Sequence, residues 1–305
     1  PFMKWSENMD YKDWQKIAKT TAKLLNDSNI QGVIITHGTD FLHYTSAALS
    51  FMLKDLNKPV VLTYSQRSID RASSDANLNL QCSALAAISD IAEVMLVGHA
   101  TTNDDFCYAM PGTKVRKLHT SMRDAFKVVN SKPYAKISPE TIEIISDYKR
   151  RNKGKVKVDA KFEEKVALIK FYPGQSPDIL DYYSKNKYKG IVVELAGIGQ
   201  VATSGSRKPW TKKIQELVKK GIVICGTAQC IHGRVDPYVY SAGRELLEAG
   251  VIYLGDMLSE TAFVKLGWVL GHKEWVKSKE IVKEKMLENI SHEFNGRLEF
   301  EEDKE

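Results

Sequence analysis

The tetrapeptide His37-Gly38-Thr39-Asp40 places a hydroxyl and a carboxylate side by side, directly after the apolar, β-branched run 32–36. Such a run predicts a buried parallel strand, and the alanine-rich stretch 44–53 that follows predicts a helix. Open α/β sheets bind ligands at the carboxyl ends of their strands. Thr39 can donate and accept a proton there, and Asp40 can orient or polarise a neighbouring group. The alternative is that Thr39 and Asp40 only cap the next helix.

Two further polar segments, 64–71 and 115–121, follow predicted strands in the first half of the chain. A parallel sheet brings such loops to one edge, so Lys117 can converge with the threonine and the aspartate. A lysine beside a carboxylate and a hydroxyl can remove the hydroxyl proton and so activate a nucleophile. A plain surface role for Lys117 stays open. Arg67, Asp70 and Arg71 fit a polar site loop and equally a structural ion-pair cluster.

Strands and helices alternate in both halves of the sequence. The predicted strands are 32–36, 59–63, 94–97, 166–171, 190–195 and 221–226. The predicted helices are 11–26, 44–53, 74–88, 178–183, 211–219, 241–248, 259–270 and 277–290. This alternation predicts an α/β protein of two domains, each a mainly parallel sheet flanked by helices.

The domain boundaries follow from changes in composition. We place a larger N-terminal domain at 1–131, a linker at 132–165, a smaller α/β C-terminal domain at 166–292 and an acidic tail at 293–305. The linker assignment depends on the strongly basic stretch 149–155, which lacks an apolar period. An α/β domain normally begins with a strand, whereas the first long element here is a helix. We therefore expect that the N-terminal domain lacks its first strand and that material precedes Pro1.

Composition indicates a globular protein. The chain has 305 residues, enough for two domain cores, with 43% hydrophobic and 27% charged residues. No apolar stretch approaches the ~20 residues that span a bilayer, and no signal peptide is visible, so we expect a cytoplasmic protein without a membrane. The four cysteines lack redox or zinc spacing, and we expect buried thiols in a reducing compartment. The net charge of +6 is compatible with an anionic partner.

The sequence resembles the L-asparaginase/glutaminase family over nearly its whole length, to about Gly271. Residues 35–40, with 45–48 and 58–61, look like a signature of that family. Residues 66–76 and 114–126 are similar to one branch of it, the D-type subunits of the archaeal tRNA-dependent amidotransferases. The second half agrees through 227–230, 233–235, 239–244 and 256–258. The resemblance implies an asparaginase-like fold.

The resemblance also implies a mechanism. A threonine near the N-terminus attacks the side-chain amide of glutamine and forms an acyl-enzyme, which water then hydrolyses to glutamate. Thr39, Asp40 and Lys117 match the residues that assist this reaction in the family. The family's attacking threonine lies in a Gly-rich strand and turn, and no segment of this sequence matches it, nor the N-terminal small barrel of the branch. We therefore expect the chain as given to be catalytically incomplete by itself.

Substrate-binding residues follow from the same resemblance. Ser6 and Glu7 match a pair that holds the α-carboxylate and α-ammonium of the substrate, and a carboxylate is the partner that an ammonium needs. Without the resemblance, the two residues would be a solvated loop before a helix. Ser65 matches the position whose backbone faces the scissile amide.

Partners are likewise implied by the resemblance. The ammonia passes to a partner protein, the E-type subunit of the amidotransferase, which amidates Glu-tRNA(Gln) with ATP and Mg²⁺. We expect no cofactor in the glutaminase subunit, where no Walker motif appears, and we expect a homodimer. A free-standing L-asparaginase and a non-catalytic scaffold remain the alternatives. The basic elements around 67–71 and 116–123 favour the amidotransferase branch over a free-standing L-asparaginase.

Overall fold

The computed structural model describes residues 1–295, which form two compact units. The first is Pro1–Ala160 and the second begins at Lys161. Each unit contains a β-sheet with helices, as the alternation of the sequence predicts.

The first unit begins with a short 3-10 helix and then alternates helices and strands. In chain order its elements are the 3-10 helix Ser6–Asn8, α1 Tyr11–Leu25, β1 Val33–Thr36, α2 Leu42–Met52, β2 Leu53–Lys54, β3 Val60–Thr63, α3 Ala76–Ile88, β4 Val94–His99, β5 Cys107–Pro111, β6 Val115–Lys117, β7 Phe126–Val128, β8 Ala135–Ile137, β9 Ile142–Ile144 and β10 Lys157–Val158. The α1 helix begins at a capping box in which Asp10 and Asp13 each accept a backbone N–H.

The main sheet of the first unit has the strand order β1-β3-β4-β5-β8-β9. The pairs β1–β3 and β3–β4 are parallel, and the pairs beyond β4 are antiparallel. Thr36 at the end of β1 lies opposite Thr63 at the end of β3. The chain segments that follow these two strands therefore leave the sheet at the same edge, where ligands bind in such sheets.

Apolar helices cover this parallel part of the sheet. The α2 helix is buried at nearly every position, and Ala47, Ala48 and Leu49 are fully inaccessible. Small alanine side chains let such a helix approach its neighbours closely. The strands beneath are equally apolar, since all four residues of β3 and all six of β4 are buried. The edge that carries the polar loops is thus built on a rigid core.

The predicted linker 132–165 is wrong for most of its length. Its residues to Ala160 belong to the first unit and include β8 and β9 of the main sheet. The basic stretch is held by Arg151, whose guanidinium donates to the carbonyls of Gln31 at 2.6 Å, Ala87 at 2.9 Å and Ser89. Lys149, Arg150 and Lys153 are exposed, whereas the half-buried Arg151 binds the stretch to the first unit.

The second unit is a parallel α/β structure. Its elements are β11 Val166–Lys170, α4 Ile179–Lys185, β12 Gly190–Leu195, α5 Thr211–Lys219, β13 Val223–Ala228, α6 Ser241–Glu248, β14 Ile252–Tyr253, α7 Ser259–Leu270 and α8 Lys279–Leu287. The sheet order is β11-β12-β13-β14, and every pairing is parallel. Its core includes Leu180, Ile191, Trp210 and Ile214.

The first residue of the predicted acidic tail is buried in the second unit. Glu293 is fully buried and accepts a hydrogen bond from the buried Lys265 ammonium at 2.6 Å. The amides of Ile290 and Ser291 donate to the same carboxylate. Residues 296–305 of the predicted tail lie outside the described residues.

Two other properties bear on the sequence predictions. Of the described helices, none combines the length and the apolar character needed to cross a bilayer. Cys82, Cys107 and Cys225 are buried as free thiols, whereas Cys230 is exposed, so the prediction that all four are buried is wrong for Cys230.

Candidate functional site

The His37–Asp40 loop leaves the sheet where β1 and β3 end side by side. The His37 amide donates to the Thr63 carbonyl at 3.0 Å, which continues the parallel pairing by one step beyond β1. The α2 helix begins just after the loop, and its N-cap, Phe41, makes no side-chain capping bond. The interpretation of Thr39 and Asp40 as mere caps of this helix is therefore wrong.

Thr39, Asp40 and Lys117 converge as the sequence predicts, and we call these three residues the candidate catalytic set. Lys117 is the last residue of β6, which pairs with β7 in a two-stranded hairpin. Its Nζ donates to Thr39 Oγ1 at 2.9 Å and to Asp40 Oδ1 at 2.9 Å. The Lys117 side chain is only 12% exposed, whereas that of Asp40 is 60% exposed. The plain surface role for Lys117 is thus wrong.

The direction of these bonds defines what the three residues can do. The ammonium of Lys117 has no acceptor, so Thr39 Oγ1 accepts from it and keeps its own O–H for another acceptor. The Asp40 carboxylate balances the ammonium charge. The set can deliver a proton through the threonine hydroxyl and take one back by the same route, which is general acid–base chemistry.

A directed hydrogen-bond chain supports the loop from behind. The carbonyl of Gly38 can only accept, so the His37 Nδ1 that lies 2.7 Å away carries the proton. Burial lowers the pKa of His37, which leaves the ring neutral and makes Nε2 an acceptor for the Thr45 hydroxyl at 2.9 Å. Thr45 Oγ1 in turn accepts from Trp14 Nε1 at 3.1 Å. The sequence alone does not predict these hydrogen bonds.

A second histidine lies behind Lys117. Burial, with the positive charges of Arg116 and Lys117 as further causes, lowers the pKa of His43 to about 3. The ring packs edge-on against Phe126, 6.2 Å between centroids. His43 is therefore neutral at pH 7 and adds no positive charge beside the Lys117 ammonium.

Ser6 and Glu7 differ in their surroundings. Ser6 is 4% exposed, and a Cβ placed on Gly38 would lie 3.2 Å from Ser6 Oγ, so the 3-10 helix packs directly on the His37–Asp40 loop. Any side chain at position 38 would crowd Ser6, which explains the glycine. The Glu7 side chain is exposed beside it. The structure thus brings Ser6 to the loop and leaves the Glu7 carboxylate open to solvent.

Ser65 is held by an aspartate that sequence reasoning did not single out. The fully buried Asp75 accepts hydrogen bonds from Ser65 Oγ at 3.0 Å and from the amides of Gln66 and Arg67 at 2.9–3.0 Å. The loop after β3 is therefore wrapped around one carboxylate at the start of α3. The signal was an aspartate in the first turn of the predicted helix 74–88, a place where carboxylates commonly bind backbone amides.

The arginines of this loop do not form the ion-pair cluster that the sequence allowed. Among residues 1–295, the side chains of Arg67, Asp70 and Arg71 make no salt bridge. Asp70 and Arg71 are exposed, and Ile69 between them and Arg67 is 82% exposed. The loop projects these side chains into solvent while Asp75 holds its backbone.

Comparison with known proteins identifies the two halves of the chain. Residues 2–150 match the family model "Asparaginase, N-terminal", and residues 165–284 match "Glutaminase/Asparaginase C-terminal domain". The D-type subunit of glutamyl-tRNA(Gln) amidotransferase from Thermococcus kodakarensis is 51% identical over 298 residues, which are 97% of this chain and 66% of that protein. The protein of the same name from Methanothermobacter thermautotrophicus is 45% identical over 293 residues, 96% of this chain and 65% of that protein. The chain therefore spans about two thirds of the length of these curated relatives.

Solved structures agree on the fold. The thermostable L-asparaginase from Thermococcus kodakarensis superposes with a TM-score of 0.85 at 31% identity, covering 96% of this chain and 84% of that one. L-asparaginase I from Vibrio cholerae superposes with a TM-score of 0.80 at 29% identity, with the same coverage. The matches span both units, and the predicted asparaginase-like fold is confirmed. The chain belongs to the asparaginase/glutaminase family.

Proposed function

We propose that this chain is part of the glutaminase subunit of a tRNA-dependent amidotransferase, which releases ammonia from glutamine for the conversion of Glu-tRNA(Gln) to Gln-tRNA(Gln). The observation that carries the proposal is the Lys117 ammonium, bound to Thr39 and Asp40 at the carboxyl edge of a family-typical sheet. Relatives 45–51% identical over almost the whole chain bear the name of such an amidotransferase subunit.

In the proposed reaction, a threonine hydroxyl attacks the carbonyl carbon of the glutamine side chain. Its proton moves to the amide nitrogen, and ammonia leaves as the C–N bond breaks. Water then attacks the ester, its hydroxide adds to the carbonyl carbon, and its proton returns to the threonine oxygen. Thr39 and Lys117 carry these protons, while Asp40 holds the ammonium in place. The attacking threonine is a separate residue, which no position of this sequence matches.

Three residues are proposed to bind glutamine. Ser6 lies against the catalytic loop and is suited to the α-carboxylate, and the open carboxylate of Glu7 is suited to the α-ammonium. The Ser65 backbone, fixed by Asp75, is proposed to face the scissile amide. Groups that bind the α-carboxylate and the α-ammonium distinguish free glutamine from a glutamine residue within a peptide, which lacks both charges.

The proposal extends to partners. The ammonia is passed to a second protein, the E-type subunit, which activates Glu-tRNA(Gln) with ATP and Mg²⁺, and the glutaminase subunit needs no cofactor for amide hydrolysis through threonine and lysine. We also propose a homodimer and a cytoplasmic location, where aminoacyl-tRNA is used. The net charge of +6 suits a complex that binds an anionic tRNA.

A direct experiment measures ammonia release from glutamine and from asparagine by the protein at its full encoded length. Each substrate is tested alone, with the partner subunit, and with the partner plus Glu-tRNA(Gln). We expect hydrolysis of glutamine that rises when partner and tRNA are present, and an Asp40→Asn variant that has lost it. Fast hydrolysis of asparagine, indifferent to partner and tRNA, would establish the alternative, a free-standing L-asparaginase. That alternative is favoured by the superposition on L-asparaginases.

A further inference from the structure

Five residues of the first unit form a closed ring of hydrogen bonds beside the candidate catalytic set. The Tyr64 hydroxyl donates to the Arg123 carbonyl at 2.9 Å, and Arg123 Nη1 donates to Asp104 Oδ2 at 2.6 Å. The other carboxylate oxygen of Asp104 binds His99 Nε2 at 2.9 Å, and His99 Nδ1 binds Asn79 Oδ1 at 2.6 Å. Asn79 Nδ2 closes the ring by donating to the Tyr64 carbonyl at 3.0 Å.

The orientation of the Asn79 amide is fixed by the backbone on both sides. The Tyr64 carbonyl can only accept and therefore faces the amide nitrogen. The His99 backbone N–H can only donate, and it bonds Asn79 Oδ1 at 2.9 Å. A flipped amide would break both bonds, and Asn79 is fully buried, so either loss would leave a polar group unsatisfied.

The central member of the ring is His99, whose side chain is fully buried. Both of its ring nitrogens face acceptor oxygens, one of Asn79 and one of Asp104, so the two bonds exist together only when both nitrogens donate. Hydrogen bonds from His99 and Arg123 lower the pKa of Asp104, which keeps this carboxylate ionised and accepting. Both nitrogens of His99 thus lie within hydrogen-bond distance of a partner, and buried polar networks of this kind favour one conformation.

The ring joins the two loops that carry site residues. Tyr64 directly precedes Ser65. The phenol group of Tyr64 packs closely on Gly98, since a Cβ atom on residue 98 would lie 2.3 Å from Tyr64 Cε1. Arg123 lies in the turn between β6 and β7, where the Leu118 amide donates to the Ala125 carbonyl at 2.7 Å, one residue after Lys117. Neither Tyr64 nor Arg123 belongs to the candidate catalytic set itself.

We propose that His99 and Asp104 are positioning residues of the amidohydrolase: through the closed ring, they hold the Ser65 loop at a fixed distance from Lys117. This inference rests on the proposed function for its kinetic part. The ring links the two loops by two paths, one direct from Tyr64 to Arg123 and one through Asn79, His99 and Asp104, so that displacing either loop strains a hydrogen bond on each path. Misplacing a catalytic group by about 1 Å costs up to 10²-fold in rate.

The test compares Asp104→Ala with Asp90→Ala in the full-length protein with its partner. Asp104→Ala is the preferred variant because the Asp104 side chain is 60% exposed, so the protein folds. An alanine there removes both carboxylate oxygens, the partners of His99 Nε2 and Arg123 Nη1, and opens the ring. Asp90 is also an exposed aspartate of the first unit paired with an arginine, Arg150, at 3.9 Å, and serves as the matched control.

Two readouts are measured: kcat for glutamine, and hydrogen exchange at the Gln66 and Leu118 amides, one in each loop. We expect Asp104→Ala to lower kcat about 10- to 100-fold and to speed exchange at both amides, with a Tm lowered by no more than about 10 °C. Asp104→Glu, which keeps the carboxylate, should recover part of the rate, and Asp90→Ala should match the wild type. Unchanged exchange at either amide, or a kcat equal to that of Asp90→Ala, would overturn the proposal.

The two readouts separate this inference from the proposed function. A wild-type protein that hydrolyses no glutamine with partner and tRNA present contradicts the proposed function. The exchange measurement decides the positioning role of the ring in that case too, because it requires no turnover.

Discussion

Replacing Lys117 by methionine tests the candidate catalytic set most simply. Methionine keeps the unbranched apolar stem and removes the ammonium that donates to Thr39 and Asp40 at 2.9 Å each. The Asp40 carboxylate is 60% exposed and remains hydrated after the loss. An ion pair with such an exposed partner contributes about 0–1 kcal/mol, and the bond to Thr39 about 1 kcal/mol, so the fold survives.

The effect on catalysis is far larger. A positioned acid–base group contributes about 10²–10⁴-fold to the rate, which corresponds to roughly 3–5.5 kcal/mol of activation free energy. We therefore expect kcat for glutamine to fall by at least about 100-fold in Lys117→Met, while the free energy of unfolding falls by no more than about 2 kcal/mol. The assay is ammonia release under saturating glutamine, with denaturant unfolding measured on the same samples.

Lys213→Met is the matched control. Lys213 lies on α5 of the second unit and is similarly shielded, with 22% of its side chain exposed. Its ammonium lies 3.1 Å from Asp181 and 3.4 Å from Glu216, so the substitution also removes one lysine held by two side chains. Activity should be unchanged in this control. A Lys117→Met enzyme that works within about threefold of the wild type would refute the assignment of Lys117.

Three further predictions concern binding and stability. Glu7→Gln should raise KM for glutamine more than it lowers kcat, because a charge-assisted bond to the substrate ammonium is worth about 1.5–3 kcal/mol; an unchanged KM returns Glu7 to a solvated loop. Asp75→Asn should lower the free energy of unfolding by about 1–3 kcal/mol and raise KM, because its N–H₂ would face the donating amides of Gln66 or Arg67; a stability equal to the wild type argues against this. His43 has a pKa of about 3 when folded and about 6.5 when unfolded, so its contribution is complete above pH 6.5 and is lost as the pH falls toward 3. Between pH 7 and pH 5, the wild type should lose about 2 kcal/mol more than His43→Gln, and equal losses would contradict the shift.

The sequence predicted the parts of the fold whose hydrophobic pattern is strong and local. The strand 190–195 and the helices 211–219, 241–248 and 259–270 coincide with β12, α5, α6 and α7. Each of these helices has an apolar stripe or an apolar interior, and β12 is a continuous apolar run. Helices and strands with such hydrophobic patterns depend little on contacts with distant residues, so a single sequence is enough to predict them.

The antiparallel part of the first sheet was not predicted. Strands β8 and β9 are three residues each, with a single lysine or glutamate between two apolar residues, which is too short a pattern to predict a strand. They are stabilised by pairing, β8 with β5 and the edge strand β9 with β8. The error in the linker has the same origin, since the three carbonyls that accept from Arg151 lie 62 or more residues away.

The convergence of Thr39, Asp40 and Lys117 was predictable from the sequence, whereas the residues that support them were not. Thr39 follows β1 at the carboxyl edge of the parallel strands, as predicted, whereas Lys117 ends β6 of a separate antiparallel hairpin. The buried Asp75 and His99 were missed because a lone polar residue in an apolar stretch does not reveal its partner. Only the folded chain shows that Asp75 binds two amides and that His99 joins Asn79 to Asp104.

The most direct test of the proposed function follows the amide nitrogen. The full-length protein, its partner subunit, ATP, Mg²⁺ and Glu-tRNA(Gln) are incubated with glutamine labelled with ¹⁵N in the side-chain amide, and the amino acid released from the tRNA is examined by mass spectrometry. We predict ¹⁵N in the amide of the tRNA-bound glutamine, and none with Asp40→Asn. Glutaminyl-tRNA without the label, or labelled ammonia released to solvent with no tRNA product, would contradict the assignment.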